Sequence, residues 1–315
     1  MKALGNRCPG GNVVAFVLEA LAPLQAHAFG TEGHQMVAAL AEPHVTAHAR
    51  AEIGRLLSFE PGSTMVSIST WADETRTPST AAWHYVNLLR DADCQYDTAR
   101  GCPDGQCVVA AIERQRKVLA SSAPELERLK ARKYIVHFVA DVYQPLHTGD
   151  ADDRGGNKYQ VQAFGRGTNL HADWVSALVA QWPGGPSALF TEVSTSAMWP
   201  EATTPAQWAQ ESCRIVGSSW FYPQSHKLET SYPQWANSAL KERLGSAVRR
   251  LATLLNANLG AVGFRHVQPI HAFAMGRPRL RGPGQSRRQL PAGQHREDWS
   301  VRHGCIRPLP CRRAV

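Results

Sequence analysis

The sequence predicts an almost wholly helical (all-α) chain carrying one small β-hairpin, and three observations lead there. Apolar residues recur at helical spacing in several stretches, most cleanly at Leu240, Leu244, Val248, Leu251 and Leu255 within 237–259. Alternation of period two runs through Tyr159, Val161 and Ala163, the mark of a short strand with one buried face. No internal repeat and no phosphate-binding or dinucleotide-binding glycine pattern is present, which argues against the common nucleotide-cofactor folds.

Taken in order, the chain opens with the features of an export signal. Lys2 and Arg7 supply positive charge, 13–22 is mostly apolar, and Ala26-His27-Ala28 forms a small-residue cleavage motif before Phe29. Residues 1–28 are therefore assigned to a signal peptide, with Cys8, Pro9, Gly10 and Glu19 as its unusual members. The mature chain would begin Phe29-Gly-Thr-Glu-Gly-His34 and enter a helix through Met36, Val37, Leu40 and Ala41. A second helix is expected over 45–57 with Thr46 as its N-cap. Next come the polar cluster Ser69 to Arg76 and the segment Ala82-Trp-His84-Tyr85-Val-Asn87, separated by a Thr-Pro-Ser-Thr loop. The pattern over 106–129 is helical with an interruption at Pro124, and a buried helix from Tyr134 should end or kink at Pro145. A polar loop from Asp150 to Asn157 leads into the hairpin, 182–186 reads as a loop, and 204–216 and 237–259 read as helices.

At 315 residues the chain can bury a sizeable core, in one large domain or two modest ones. No apolar run reaches the roughly 18 residues that a membrane span needs. The net charge of +8 does not belong to the body of the chain. After His266 there are ten arginines against Glu297 and Asp298, so the remainder is near neutral. That tail, taken as 263–315, is rich in Pro, Gly, Gln and Arg without apolar periodicity, the composition of a disordered segment. Its charge would add salt-sensitive attraction for polyanions.

Seven cysteines divide by position: Cys8 leaves with the signal, Cys305 and Cys311 lie in the tail, and Cys94, Cys102, Cys107 and Cys213 remain. In an exported protein these four can form two disulfides, and a Cys102 to Cys107 bond would close a Pro-Asp-Gly turn. A zinc knuckle is the competing reading, disfavoured by the lack of paired C-x-x-C hooks.

The chemistry concentrates between Tyr134 and Trp174, where His137, Asp141, His147 and His171 fall within about forty residues. On a helix His137 and Asp141 share one face. An imidazole and a carboxylate inside an apolar helix are costly to bury unless paired, and a divalent cation pairs them well. With His34, Asp73 and His84 added, and the α-amine that cleavage would free at Phe29, the ligands exceed what one tetrahedral zinc uses. They point to two or three ions with a bridging carboxylate such as Asp141. His44 and His48 read as ordinary surface residues.

These motifs resemble the S-one/P-one nuclease family of zinc-dependent single-strand nucleases and 3′-nucleotidases, which share a helical fold with zinc phospholipase C. The likeness runs from Phe29 to about Gly260. It rests on Gly-His34, Trp-Ala-Asp73, Trp-His84-Tyr85, His137-Phe-x-x-Asp141-x-x-Gln-Pro-Leu-His147, Gly-Gly-Asn157 and Asn-Leu-His171-x-x-Trp174. The resemblance implies a nuclease domain over 29–262 and disulfides Cys94–Cys213 and Cys102–Cys107. It gives one Zn2+ to Asp73, His84, His137 and Asp141. A second goes to the amine and carbonyl of Phe29 with His34 and the shared Asp141, and a third to His147 and His171. It further implies that Tyr85 stacks on a base, that Asn87 and Asn157 hold the nucleotide, and that Arg76 lies against the phosphate. The alternative for these rim residues is structural, with Tyr85 in the core and Arg76 paired to Asp73.

Two departures from the pattern stand out. Phe29 replaces the usual Trp, which a backbone ligand tolerates. Val175 stands where the family pattern has a carboxylate four residues after the histidine, on the same helical face as His171, while Asp173 points elsewhere. That weakens the third site. The implied protein is a secreted or periplasmic, monomeric phosphodiesterase of single-stranded nucleic acid that leaves 5′-phosphates. The competing expectations are a zinc phospholipase C-type enzyme and a degenerate zinc-binding protein.

Overall fold

Thr46 turns its side-chain oxygen back onto the Ala49 amide, 3.3 Å away, and so starts a helix where the sequence places its N-cap. In the computed structural model, which describes residues 29–89, 93–195, 204–228 and 231–259, that helix is α2 (Ala47–Leu57). The signal peptide assigned to 1–28 and the tail 263–315 lie outside the described residues.

Ahead of α2, α1 (Gly30–Ala41) begins directly after Phe29 and buries Met36, Val37, Leu40 and Ala41. The polar cluster forms the single turn α3 (Trp71–Glu74), and a 3-10 turn over Ala81–His84 follows the intervening loop. A short α4 (Thr98–Gly101) leads to α5 (Val108–Ala120) and α6 (Glu125–Tyr143), which pack against each other. The interruption expected at Pro124 is a complete break. Pro124 stands at the N-cap of α6 in extended conformation, so the helix bearing His137 starts at Glu125, nine residues before Tyr134. It ends at Tyr143, and Pro145 opens a 3-10 turn over Pro145–Thr148.

Strands β1 (Gln160–Ala163) and β2 (Arg166–Asn169) pair antiparallel, with Gln160 opposite Asn169 and Ala163 opposite Arg166. Phe164 and Gly165 make the two-residue turn with φ of 49° and 76°, the left-handed pair that suits a tight hairpin. The chain continues without a break through α7 (Leu170–Ala172), a π turn over Asp173–Ala177 and α8 (Leu178–Ala180). Helix α9 (Gly185–Ser194) starts inside the expected 182–186 loop, with Pro186 in its first turn, a position that needs no amide hydrogen. Helix α10 (Pro205–Val216) opens on a capping box between Thr204 and Gln207. Helix α11 (Tyr232–Leu259) starts five residues before the expected 237 and buries all five of its predicted apolar positions.

Helix α6 is the axis of the core. It packs against α1, α2, α3, α5, α10 and α11, and Ile135, Val136, Phe138, Val139, Ala140 and Val142 are fully buried on all its sides. Disulfides join Cys94 to Cys213 and Cys102 to Cys107, which removes the zinc-knuckle reading of those four cysteines. The first spans 119 residues of sequence and ties the segment ahead of α4 to α10. A crosslink of that span contributes roughly 2–5 kcal/mol by restricting the unfolded chain.

Candidate metal centre

His137 and Asp141 stand one turn apart on α6, both fully buried, with His137 Nε2 3.3 Å from Asp141 Oδ2. A carboxylate among apolar neighbours costs several kcal/mol unless charge is brought to it. Three further elements bring imidazoles. The 3-10 turn before Tyr85 sets His84 Nδ1 3.0 Å from Asp141 Oδ2, α1 sets His34 Nε2 3.6 Å from Oδ1, and the turn after α6 sets His147 Nδ1 3.6 Å from Oδ1. From α3, Asp73 Oδ1 reaches within 3.3 Å of His84 Nδ1 and 3.5 Å of His137 Nε2.

Four of these atoms have a specific geometry. His84 Nδ1, His137 Nε2, Asp73 Oδ1 and Asp141 Oδ2 are separated by 3.0, 3.2, 3.3, 3.3 and 3.5 Å along five of the six edges between them. Zinc bonds of about 2.0–2.1 Å to N and O in a tetrahedron require edges of about 3.3–3.4 Å. The donor set fits a divalent cation in chemistry, and His84, His137 and Asp141 form one group whose ligand atoms all lie within 4.8 Å of one another. A second group, His34, Asp73 and His137, also has one ligand atom from each within 4.8 Å of the others.

Backbone carbonyls behind three of the histidines fix which ring nitrogen faces the cluster. His137 Nδ1 donates to the Ser69 carbonyl at 2.8 Å, His147 Nδ1 to the His84 carbonyl at 2.7 Å and His171 Nδ1 to the Gly155 carbonyl at 2.7 Å. In its neutral form each ring then offers Nε2 as the free nitrogen. Both nitrogens of His34, Nε2 of His171 and Oδ1 of Asp141 are buried without a hydrogen bond, the pattern expected of atoms kept for a ligand.

Charge follows the same division. Burial, and then the neighbouring His137, lower His34 to about 3. His137 is raised to about 10 because, against burial, Asp141 and Asp73 favour its charged form. Asp141 is held well below the usual carboxylate range, its burial outweighed by His137 and His84. Burial, and then His147, lower His171 to about 3, and burial lowers His147 as well. His147 and His171 stack with centroids 5.2 Å apart.

Above the cluster opens a cavity of about 340 Å³ lined by Arg76, His84, Tyr85, Asn87, Leu146, His147, Ala151, Arg154, Gly155, Asn157 and His171. Tyr85 is 39% exposed, so the core reading of this ring fails. Arg76 is steadied by a hydrogen bond to the Ala81 carbonyl at 3.1 Å. Asn157 lies on the rim, its Nδ2 donating to the Arg154 carbonyl. Phe29 is fully buried at the start of α1, where Gly33 leaves room for it: a Cβ on Gly33 would lie 2.2 Å from the Phe29 Cβ.

Val175 and Asp173 both fall in the π turn after His171. Val175 is buried and apolar. Asp173 is also buried, with both carboxyl oxygens unbonded. Burial, only partly offset by Arg166, raises it to about 7. Sequence reasoning missed Arg154, Ser69 and Gly155. The first read as one charge in a polar loop. The other two act through backbone carbonyls that no side-chain pattern reveals.

Comparison with known proteins agrees with this geometry. The family model described as S1/P1 Nuclease matches residues 29–260. Nuclease PA3 of Penicillium sp is 32% identical over 218 residues, 67% of this chain and 78% of that protein. Endonuclease 2 of Arabidopsis thaliana and Nuclease P1 of Penicillium citrinum are each 32% identical, over 49% and 50% of this chain. The chain spans little more than half of those two, 57% and 60% of their lengths. With a match across the whole described helical body and every histidine of the cluster inside it, the chain belongs to the S1/P1 nuclease family.

Proposed function

We propose that this chain is an exported, zinc-dependent endonuclease that hydrolyses phosphodiester bonds of single-stranded DNA or RNA to 5′-phosphate products, with 3′-nucleotidase activity at the same site. The close approach of His84, His137, Asp73 and Asp141 carries the reading. These four hold one Zn2+. His34 and Asp141, with the amine and carbonyl of Phe29 once residues 1–28 are removed, hold a second, and His147 with His171 holds a third. Bound there, the ions supply an activated water near neutral pH and offset charge on the leaving oxygen.

The protein's own groups do the rest. The Ser69, His84 and Gly155 carbonyls accept from Nδ1 of His137, His147 and His171, so Nε2 is the nitrogen that each ring, once neutral, offers a cation. Arg76, fixed by Ala81, meets the phosphoryl oxygens. Tyr85 offers an exposed ring on which an unpaired base stacks, which accepts any sequence and rejects a closed duplex. Asn87 and Asn157 supply hydrogen bonds to the nucleotide. The two disulfides suit an oxidising compartment, and no helix among the described residues is long and apolar enough to cross a membrane.

The test compares protein starting at Phe29 with the full chain for zinc content and for cleavage of single-stranded and duplex oligonucleotides. More zinc and faster single-strand cleavage in the shorter form are expected. Equal zinc and equal turnover in both forms sink the role of Phe29. Preferential hydrolysis of a choline phosphoester sinks the nuclease reading in favour of a phospholipase.

A further inference from the structure

Arg154 sits in the left-handed region with φ of 56°, followed by Gly155 at 59° and Gly156 at 80°. Glycine adopts that conformation freely, whereas a residue with a Cβ is strained in it. The loop leaves Arg154 no choice. Gly155 donates its amide to the Asp150 carbonyl at 3.0 Å, Gly156 donates to Asp153 Oδ1 at 2.9 Å, and the Arg154 carbonyl takes Asn157 Nδ2 at 2.8 Å. The Gly155 carbonyl holds His171.

The backbone is thus fixed on every side while the side chain is not. Arg154 lines the same cavity as Arg76, Tyr85 and Asn157, is exposed, and its guanidinium makes no hydrogen bond or ion pair among the described residues. Its acidic neighbours do not claim it: Asp153 accepts the Gly156 amide and Asp150 the Asp152 amide. Arg76 is the opposite case, tethered to Ala81. A tethered guanidinium suits one phosphate in one place. An untethered one on a long stem suits an anion whose position varies.

A single-stranded nucleic acid presents such an anion at the phosphate next to the one being cleaved. We propose that Arg154 binds that neighbouring phosphate and makes the site favour oligonucleotides over mononucleotides. This rests on the nuclease reading of the same cavity.

The experiment uses zinc-loaded wild type, Arg154→Ala and Arg154→Lys, with oligothymidylate and a 3′-mononucleotide as substrates across a salt series. Arg154→Ala is expected to raise KM for the oligonucleotide five- to tenfold while kcat changes less than twofold, and to raise KM for the mononucleotide less than twofold. The slope of log affinity against log salt should shrink by about 0.7, the value for one phosphate contact on a single strand. Arg154→Lys should restore the slope. Equal KM changes on both substrates, or an unaltered slope, overturn the proposal. Fluorescence anisotropy of labelled oligothymidylate gives the same slope without turnover. A wild type that cleaves neither substrate would therefore sink the nuclease reading while still testing the contact.

Discussion

The ring of His34 lies flat on that of His137, centroids 4.0 Å apart and planes 5° apart. Two buried imidazoles at that separation cannot share positive charge cheaply, and they divide it: His34 falls to about 3 and His137 rises to about 10. Asp141 is the group that both of them, and His84 and His147, face.

Asp141→Asn keeps the shape and removes the charge. The variant is expected to lose zinc affinity by more than about 100-fold, beyond the 10–100-fold typical of an outer-shell partner. Atomic emission on dialysed protein measures it. Retention of the wild-type zinc content would show that Asp141 is a structural acid only.

Gly155→Ala adds a Cβ that would lie 2.3 Å from the Leu146 carbonyl oxygen, at a φ of 59°. The loop must move, and the carbonyl that holds His171 moves with it. A loss of roughly 2–3 kcal/mol is expected, seen as a lower thermal midpoint, together with weaker zinc retention at the proposed His147–His171 site. An unchanged midpoint would mean that the loop tolerates displacement.

Val175→Asp supplies a carboxylate one helical turn after His171. Zinc per chain and single-strand cleavage should both rise. Because an acid at this buried place is costly without a cation, chelation should lower the variant's thermal midpoint further than that of wild type. If zinc content and cleavage both stay level, the π turn has rotated position 175 away from the histidine pair.

Asp173 gives a pH signature. Its folded pKa of about 7 lies above the ordinary carboxylate value, so the folded state binds the extra proton. The stabilisation is complete below about pH 4 and is lost as pH rises towards 7, with an upper bound of roughly 4 kcal/mol. Asp173→Asn should raise the thermal midpoint at pH 8 and change it little at pH 4. Equal shifts at both values would rule out titration of this carboxyl.

The sequence made legible what repeats with a period or announces itself by residue type. Leu240, Leu244, Val248, Leu251 and Leu255 marked the face of α11, and Thr46 and Thr204 marked helix starts. The imidazoles and acids of the cluster were likewise visible. The first half of α6 was harder to read, because Arg128, Arg132 and Lys133 look like surface residues. They are buried by tertiary partners: Arg132 donates to the Ile53 carbonyl and Lys133 pairs with Glu60. Helix α9 hid behind its own Pro186, which suggests a loop until its place in the first turn is known. The π turn and the carbonyl contacts behind the histidines were invisible because backbone geometry leaves no mark in side-chain chemistry.

His137 and Asp141 ride on the most deeply enclosed helix of the fold, whereas Tyr85, Asn87, Arg154 and Asn157 occupy its outer lip. The two layers answer to different pressures. A combinatorial library restricted to those four outer positions should retune which polymers are digested while leaving the inner scaffold, and hence the yield of folded protein, intact.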